Sequence, residues 1–354
     1  MIALKRLAPV FGLVAVAGLA ACSKDTNSPD NVDAAVMQAK LDALSAEFTG
    51  NAVFQSLATL SGHFTLTAAG QAAVRATLPL GVPRAPSTNL AAAGGTRLQA
   101  MRLYASLAPN SPMVLFPANV LGKTFVWDVT LDKYVQSTQT GAPANGVRFL
   151  LYTVDQATGM PIEPLQALGN VDLTDESTPA ANILGVLVKF GSTTVADYTI
   201  SAVVTTTSLS LTASGSLFGQ SDRVDFTLAN TVTQTSAIID YHVQASNGYA
   251  VDIKITGTET SFTVDFTISG GGNSLQMVGS VTISGSSGTI SIQIKYNGTV
   301  VATISGDVNN PTVTGAGGRQ ITQQEIAHLL AIFEQAAEVI NTLGEVFGPG
   351  YLLF

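Results

Sequence analysis

The chain reads as a mainly β protein with flanking α-helices. It is an α+β class in which a large antiparallel meander forms a curled or barrel-like sheet, its apolar face packed by an N-terminal and a C-terminal helix. Three observations predict this. Charged residues are only 11% of the chain, while Thr, Val, Ser, Ala and Gly are abundant, a composition that favours strands and turns. Across residues 197–307, apolar and polar positions alternate with the period of a strand, broken by Asn-Gly and Gly-rich turns. Residues 324–347 then change to helical spacing, with Ile326, Leu329, Leu330, Phe333, Ala337, Ile340 and Leu343 on one side.

Residues 1–21 form a targeting segment. Lys5 and Arg6 are followed by an apolar run over 7–19, short of the ~20 residues that span a bilayer. Then comes Leu19-Ala20-Ala21-Cys22, inside the stretch VAGLAACSKD. This order resembles the lipobox of bacterial lipoprotein precursors. The resemblance covers residues 1–22 only, and no family is recognised in the mature body. It implies cleavage before Cys22, a lipid on its sulfur and acylation of its new amino group. An ordinary signal peptide cut after Ala21 would instead leave a free thiol. Cys22 is the only cysteine in 354 residues, so no disulfide partner exists for it. Such a thiol is a liability in an oxidising compartment. Several acyl chains hold a protein to a membrane stably, so the membrane is the expected partner, through lipid on Cys22. The resemblance further implies the outer membrane of a bacterial envelope, periplasmic or surface side, because Ser23 replaces the Asp that tends to retain enterobacterial lipoproteins at the inner membrane. Residues 22–31 are a polar tether, and 23–31 reach about 30 Å at most.

Residues 32–123 make a helical and Pro-rich region. Val36, Leu41, Leu44 and Phe48, then Phe54, Leu57 and Leu60, follow helical spacing. Pro79, Pro83, Pro86, Pro109, Pro112 and Pro117 break longer elements over 79–123, leaving room for a short helix near 97–107.

The β body is expected over 124–320. TFVWDVTL alternates Phe125, Trp127, Val129 and Leu131, whereas VRFLLYTV and ILGVLVKF are apolar at successive positions and read as strands buried on both sides. The stretch between those two reads as turns. Tyr198, Ile200, Ala202 and Val204, then Leu209, Leu211, Ala213 and Leu217, fit two further strands, about nine in all after residue 197. In ASNGY a three-residue loop sets Val243 against Val251, Tyr241 against Ile253 and Ile239 against Ile255. In KYNGT the same loop sets Ile294 against Val300 and Ile292 against Ala302, whereas a two-residue loop would turn Ala302 and Ile304 to the other face. Ile255 against Phe262, Ile268 against Leu275 and Ile283 against Ile290 continue the same parity. One face is then almost wholly apolar. The other carries Asp225, Asp240, His242, Asp252, Lys254, Thr263, Asp265, Ser291, Gln293 and Lys295.

Residues 321–354 supply a C-terminal amphipathic helix and tail. Thr322 with Glu325 makes a capping box at its start. Nine strands at ~4.8 Å make a sheet roughly 40 Å wide, whereas a helix covers about 10–12 Å. The sheet therefore curls around the helix, shares the work with N-terminal segments, or leaves part of its apolar face to a hydrophobic ligand. The residues placed to line such a site are Tyr241, Ile253, Val264, Phe266, Met277 and Ile294, with Gly279 leaving room beside them.

Chemistry is sparse. The net charge of −8 argues against nucleic acid. The three histidines, His63, His242 and His328, show no zinc spacing, so no metal site, no cofactor and no catalytic residue is assigned. His242 with Asp252 reads as a charge pair on a wet sheet face rather than an acid/base pair. Asp172, Asp175 and Glu176 fall in an expected loop but lack EF-hand spacing. No Gly-x-Ser-x-Gly elbow and no phosphate-cradling glycine loop occurs. The resulting expectation is a non-enzymatic, membrane-anchored binding or carrier module with an apolar face or cavity. The alternative is a structural or cell-surface interaction lipoprotein with a filled core.

Overall fold

The computed structural model describes residues 114–322, except 156, 157, 159, 220, 221, 234, 259, 285 and 286. Outside that span it describes Ala39, Asp42, Ser56, Glu325, Ala327, residues 331–333, Ala336, Leu343, Pro349 and Gly350. The targeting segment, Cys22, the tether, most of the expected N-terminal helix, His63 and His328 lie outside the described residues.

The described body is one 15-stranded sheet in the order β15-β14-β13-β12-β11-β10-β9-β8-β7-β6-β5-β4-β3-β1-β2, curled and not closed. Its strands are β1 (Lys123–Asp128), β2 (Lys133–Ser137), β3 (Gly146–Tyr152), β4 (Ala167–Asp175), β5 (Asn182–Phe190), β6 (Thr193–Val204), β7 (Ser208–Phe218) and β8 (Arg223–Thr233). They continue as β9 (Ala237–Ala245), β10 (Ala250–Gly257), β11 (Ser261–Gly270), β12 (Asn273–Ser284), β13 (Ser287–Tyr296), β14 (Thr299–Asp307) and β15 (Asn310–Gly315). From β3 to β15 each strand pairs antiparallel with the next, the arrangement short turns allow. The exception is β1, which runs parallel to β3 and antiparallel to β2.

The described chain is therefore mostly β, as expected, and no whole flanking helix stands among its described elements. Helical conformation appears at Ala39, Asp42, Ser56, Glu325, Ala327, 331–333, Ala336 and Leu343. The flanking helices as whole elements lie outside the described residues.

Several expectations need correction. Val129 and Leu131 do not continue β1; they are 42% and 54% exposed in the turn to β2. The supposed turn region between 155 and 178 contains β4, whose Val171, Asp172 and Leu173 are buried. Asp172 is therefore a strand residue, not a loop ligand. The strands β3 and β5 are not buried alike on both sides, because Leu150, Ile183 and Leu187 are only half-buried. A short strand, β15, also follows the expected last one.

The first Asn-Gly hairpin has the expected register: Val251 opposes Val243, Ile253 opposes Tyr241 and Ile255 opposes Ile239. Its turn is closed by the Gly248 amide donating to the Ala245 carbonyl at 3.0 Å. The second differs. Tyr296 opposes Thr299 across a two-residue Asn297-Gly298 turn, with φ of 49° and 80°. Both values are positive, as a tight hairpin turn of this kind requires. A bulge then inserts Val301 and sets Ile294 opposite Ala302 and Ile292 opposite Ile304. The bulge restores the apolar parity that the short turn alone would have reversed. Ile268 opposes Leu275 as expected, whereas Ile255 opposes Val264 and Val281 opposes Ile290, each two residues from the expected register.

A turn motif recurs along one end of the sheet. Thr205-Thr206-Thr207-Ser208, Thr233-Gln234-Thr235-Ser236 and Thr258-Glu259-Thr260-Ser261 share the pattern Thr-x-Thr-Ser. In each, the first threonine amide donates to the serine carbonyl at 2.7–2.8 Å. In each, its hydroxyl oxygen accepts from the two following Thr and Ser amides. A side chain thus satisfies turn amides that the ladder leaves unpaired.

Candidate functional site

The inner face of the sheet is the candidate site. Pairings carry one lateral row through Leu184, Ile200, Ala213, Leu228, Tyr241, Ile253, Phe266, Met277, Ile294 and Ala302. Five of the six expected lining residues therefore stand in a single row. Val264 stands one row over, between Ile255 and Gly279. All six are buried, from 1% exposure at Phe266 to 9% at Val264. The expected row order shifts by two residues, since Leu228 opposes Tyr241 and not Val243.

Gly279 is not a gap. A Cβ built there would lie 2.0 Å from the Ser291 carbonyl oxygen and 2.6 Å from the Ile292 Cα. The backbone of β13 closes on it, as a strongly coiled sheet demands at inward glycines.

The C-terminal residues meet this face at separated points. Arg319 donates to Glu325 near β15, at 2.6 and 3.3 Å. The Phe333 ring packs edge-on against Phe266 of β11, with centroids 5.1 Å apart. Gly350 lies against Ile200 of β6, where an added Cβ would be 3.3 Å from Cγ2. Ile332, Ala336 and Leu343 are at most 1% exposed. At the other end, the Ser56 hydroxyl oxygen accepts from the Tyr152 amide at 3.2 Å, and Phe125 stacks on Phe149 at 4.8 Å.

The expected capping box is present. The Thr322 amide donates to Glu325 Oε2 at 2.7 Å, and the Glu325 amide donates to Thr322 Oγ1 at 3.2 Å. The Arg319 guanidinium, with these bonds from Thr322, holds the Glu325 carboxyl down at about 2.

Polar groups on the inner face are few and specific. The Tyr241 hydroxyl donates to Asn230 Oδ1 at 2.9 Å, which explains how a buried Asn is tolerated there. The Tyr198 hydroxyl is buried and, among the described residues, has no hydrogen-bond partner. Burial pushes its ionisation far above the ordinary range, so it stays a neutral donor. In the sequence, Tyr198 falls on an expected strand with nothing to mark it as functional beyond a lone hydroxyl in an apolar alternation.

The outer face is a solvated charge ladder. His242 Nδ1 pairs with Asp252, and Lys254 Nζ lies 3.3 Å from Asp240. Asp265 faces Lys254 in register and accepts from Gln276 Nε2 at 2.8 Å, rather than joining His242. His242 and Asp252 side chains are 54% and 50% exposed, so water competes at every position. At that exposure the pair is a screened surface contact. The better-built pair is Arg148 with Asp172, joined by two bonds of 2.6 and 2.7 Å and braced by Asn170.

No family model, curated protein or solved structure matches this chain. Among the described residues, no group of three or more His, Cys, Asp or Glu is placed to hold a metal ion. Among the same residues, no helix is long and apolar enough to cross a membrane.

Proposed function

We propose that the chain is a lipid-anchored bacterial envelope protein that holds an apolar ligand against the inner face of its curled sheet and catalyses no reaction. One observation supports this most directly. The inner apolar row runs through ten strands in register, from Leu184 to Ala302. At ~4.8 Å per strand that is on the order of 45 Å of apolar surface, several times the breadth of one helix. In this reading a C-terminal helix and an N-terminal helix line the other side, and the ligand lies between them and the sheet. The expected contacts are Tyr241, Ile253, Val264, Phe266, Met277 and Ile294. Lipid on Cys22 keeps the body within about 30 Å of a membrane, a source of apolar ligands. The outer membrane is the proposed location.

A second reading, a structural or surface-interaction lipoprotein with a filled core, is favoured by the low exposure of those six residues, 9% at most. Native mass spectrometry after gentle extraction separates the two. Bound lipid, or uptake of apolar dyes displaced by lipid, supports the carrier. A bare mass with no uptake overturns it and leaves the structural role.

A further inference from the structure

We propose that Tyr198 is the polar contact of this ligand site, donating its hydroxyl hydrogen bond to a neutral carbonyl oxygen of an ester- or ketone-bearing lipid. The inference rests on the carrier reading above. Tyr198 is 2% exposed, and its hydroxyl has no partner among the described residues. A buried hydroxyl without a partner is costly, so such groups are rare and call for an explanation. The surroundings do not supply one. Its neighbours in register and along the strand are Val186, Ala196, Ile200 and Gly215, with Leu217 and Phe226 one step further. None of these side chains can accept a hydrogen bond, and the ladder occupies their backbone groups. A single water would find too few protein partners there, since a buried water typically needs about three.

The position also lies where sheet and C-terminal chain meet. Ile200, one inward step along β6, touches Gly350, and Pro349 and Gly350 are both buried. The Tyr198 ring sits 5.8 Å from Phe226, and Gly215 between them carries no side chain to separate them. A ligand lying along the inner row would thus pass an aromatic pair with one free donor beside it.

The charge of the ligand follows from the same neighbours. Among the described residues no cation neighbours Tyr198, and one neutral donor does not compensate a buried carboxylate or phosphate. An ester or ketone oxygen accepts one hydrogen bond without a net charge to bury. The class is therefore a neutral acyl ester or a ketone-bearing apolar molecule, not a free fatty acid.

The test uses the full mature chain, held in a detergent-free amphipathic polymer, with a pyrene-labelled fatty acid methyl ester and the matching free acid as probes. The expected result is ester binding that weakens about three- to tenfold in Tyr198→Phe, the loss of one net hydrogen bond. The same variant without probe should melt no lower than the parent, because the unpaired hydroxyl is gone. The free acid should bind more weakly than the ester in both proteins. His242→Ala, on the exposed outer face, should leave both the melting temperature and the ester affinity near those of the parent. Equal ester affinity in parent and Tyr198→Phe overturns the Tyr198 contact while the carrier reading stands. Free acid binding as tight as ester overturns the neutral head group. No binding of either probe by the parent overturns the carrier reading and this inference with it.

Discussion

Replacing Gly279 by alanine decides whether the inner face has room at that point. The backbone there is not left-handed, so alanine is conformationally allowed. An open site would accept the methyl group, and reduced freedom in the unfolded chain would raise stability by about 0.4–1 kcal/mol. The structure argues the opposite sign. The new Cβ would stand 2.0 Å from the Ser291 oxygen, and ordinary contact begins at 3.4 Å. The strands β12 and β13 must therefore part by more than an ångström locally. That weakens adjacent ladder bonds, each contributing about 0.5–1.5 kcal/mol net, and the overpacking itself costs typically 1–3 kcal/mol. After the gain from the unfolded state, the net loss is about 1–2 kcal/mol. For a body of this size that lowers the melting temperature by about 2–8 °C. Thermal unfolding of the mature chain followed by circular dichroism reads it. An unchanged or raised melting temperature would refute the close approach of β13 and reinstate a gap beside Val264.

Three further outcomes follow from the geometry, and a fourth from the lipobox resemblance. Glu325→Gln removes the bonded carboxylate and should destabilise by about 1–2 kcal/mol near neutral pH, read by urea unfolding. The Glu325 carboxyl titrates at about 2, against 4.5 for an ordinary one, so its contribution is full above pH 4.5 and is lost as pH falls through 2. The gap between parent and Glu325→Gln should therefore shrink across that window; a constant gap would contradict the ion pair. Thr233→Val removes the hydroxyl that accepts from Thr235 and Ser236, and should cost about 1 kcal/mol and speed amide exchange in that turn. His242→Ala should change stability by less than about 0.5 kcal/mol, and a larger loss would mean the pair with Asp252 is more than a screened surface contact. Cys22→Ala should abolish incorporation of radiolabelled palmitate in cells, and retained label would refute lipidation at that residue.

How far the fold was legible depends on what apolar matching constrains. It constrains parity, because an odd slip turns every side chain to the wrong face. It does not constrain even slips. Phe262, Val264 and Phe266 all present apolar side chains inward, so Ile255 is matched equally well by Phe262 or by Val264, and β11 takes the second. The bulge at Val301 was likewise unreadable, since Val300 and Val301 are alike in size and polarity. The strand β4 was hidden by Pro161, Pro164 and two glycines around a segment whose Asn170 and Asp172 look like loop residues until Arg148 is seen across from them. The Thr-x-Thr-Ser turns were present in the letters, but only their shared place at one end of the sheet gives the repeat its meaning. For the site, the shared face of Tyr241, Ile253, Phe266, Met277 and Ile294 follows from alternation alone. The contact with Phe333 and the orphan hydroxyl of Tyr198 depend on distant chain meeting the sheet, which no local pattern encodes.

The open sheet itself bears on why the inner face is covered by chain from outside it. A barrel would hide both edges and fill its own interior. Here each edge is blunted separately. On β15, Pro311 removes a donor, the Gly315 amide donates to the Arg319 carbonyl at 2.9 Å, and Thr314 bridges to Gln320. On β2, the edge strand is only five residues long and opens on Lys133. Edges treated in this way do not pair with each other, so curling stops short of closure. An unclosed curl cannot cover its own concave side, and its apolar rows require segments from outside the sheet. Phe333, Leu343 and Gly350 are buried there for that reason. Nothing in the ladder holds those residues in place. The Arg319–Glu325–Thr322 cluster follows β15 directly and ties Glu325 back to the end of the sheet, so the chain beyond β15 is anchored by side chains rather than by the ladder.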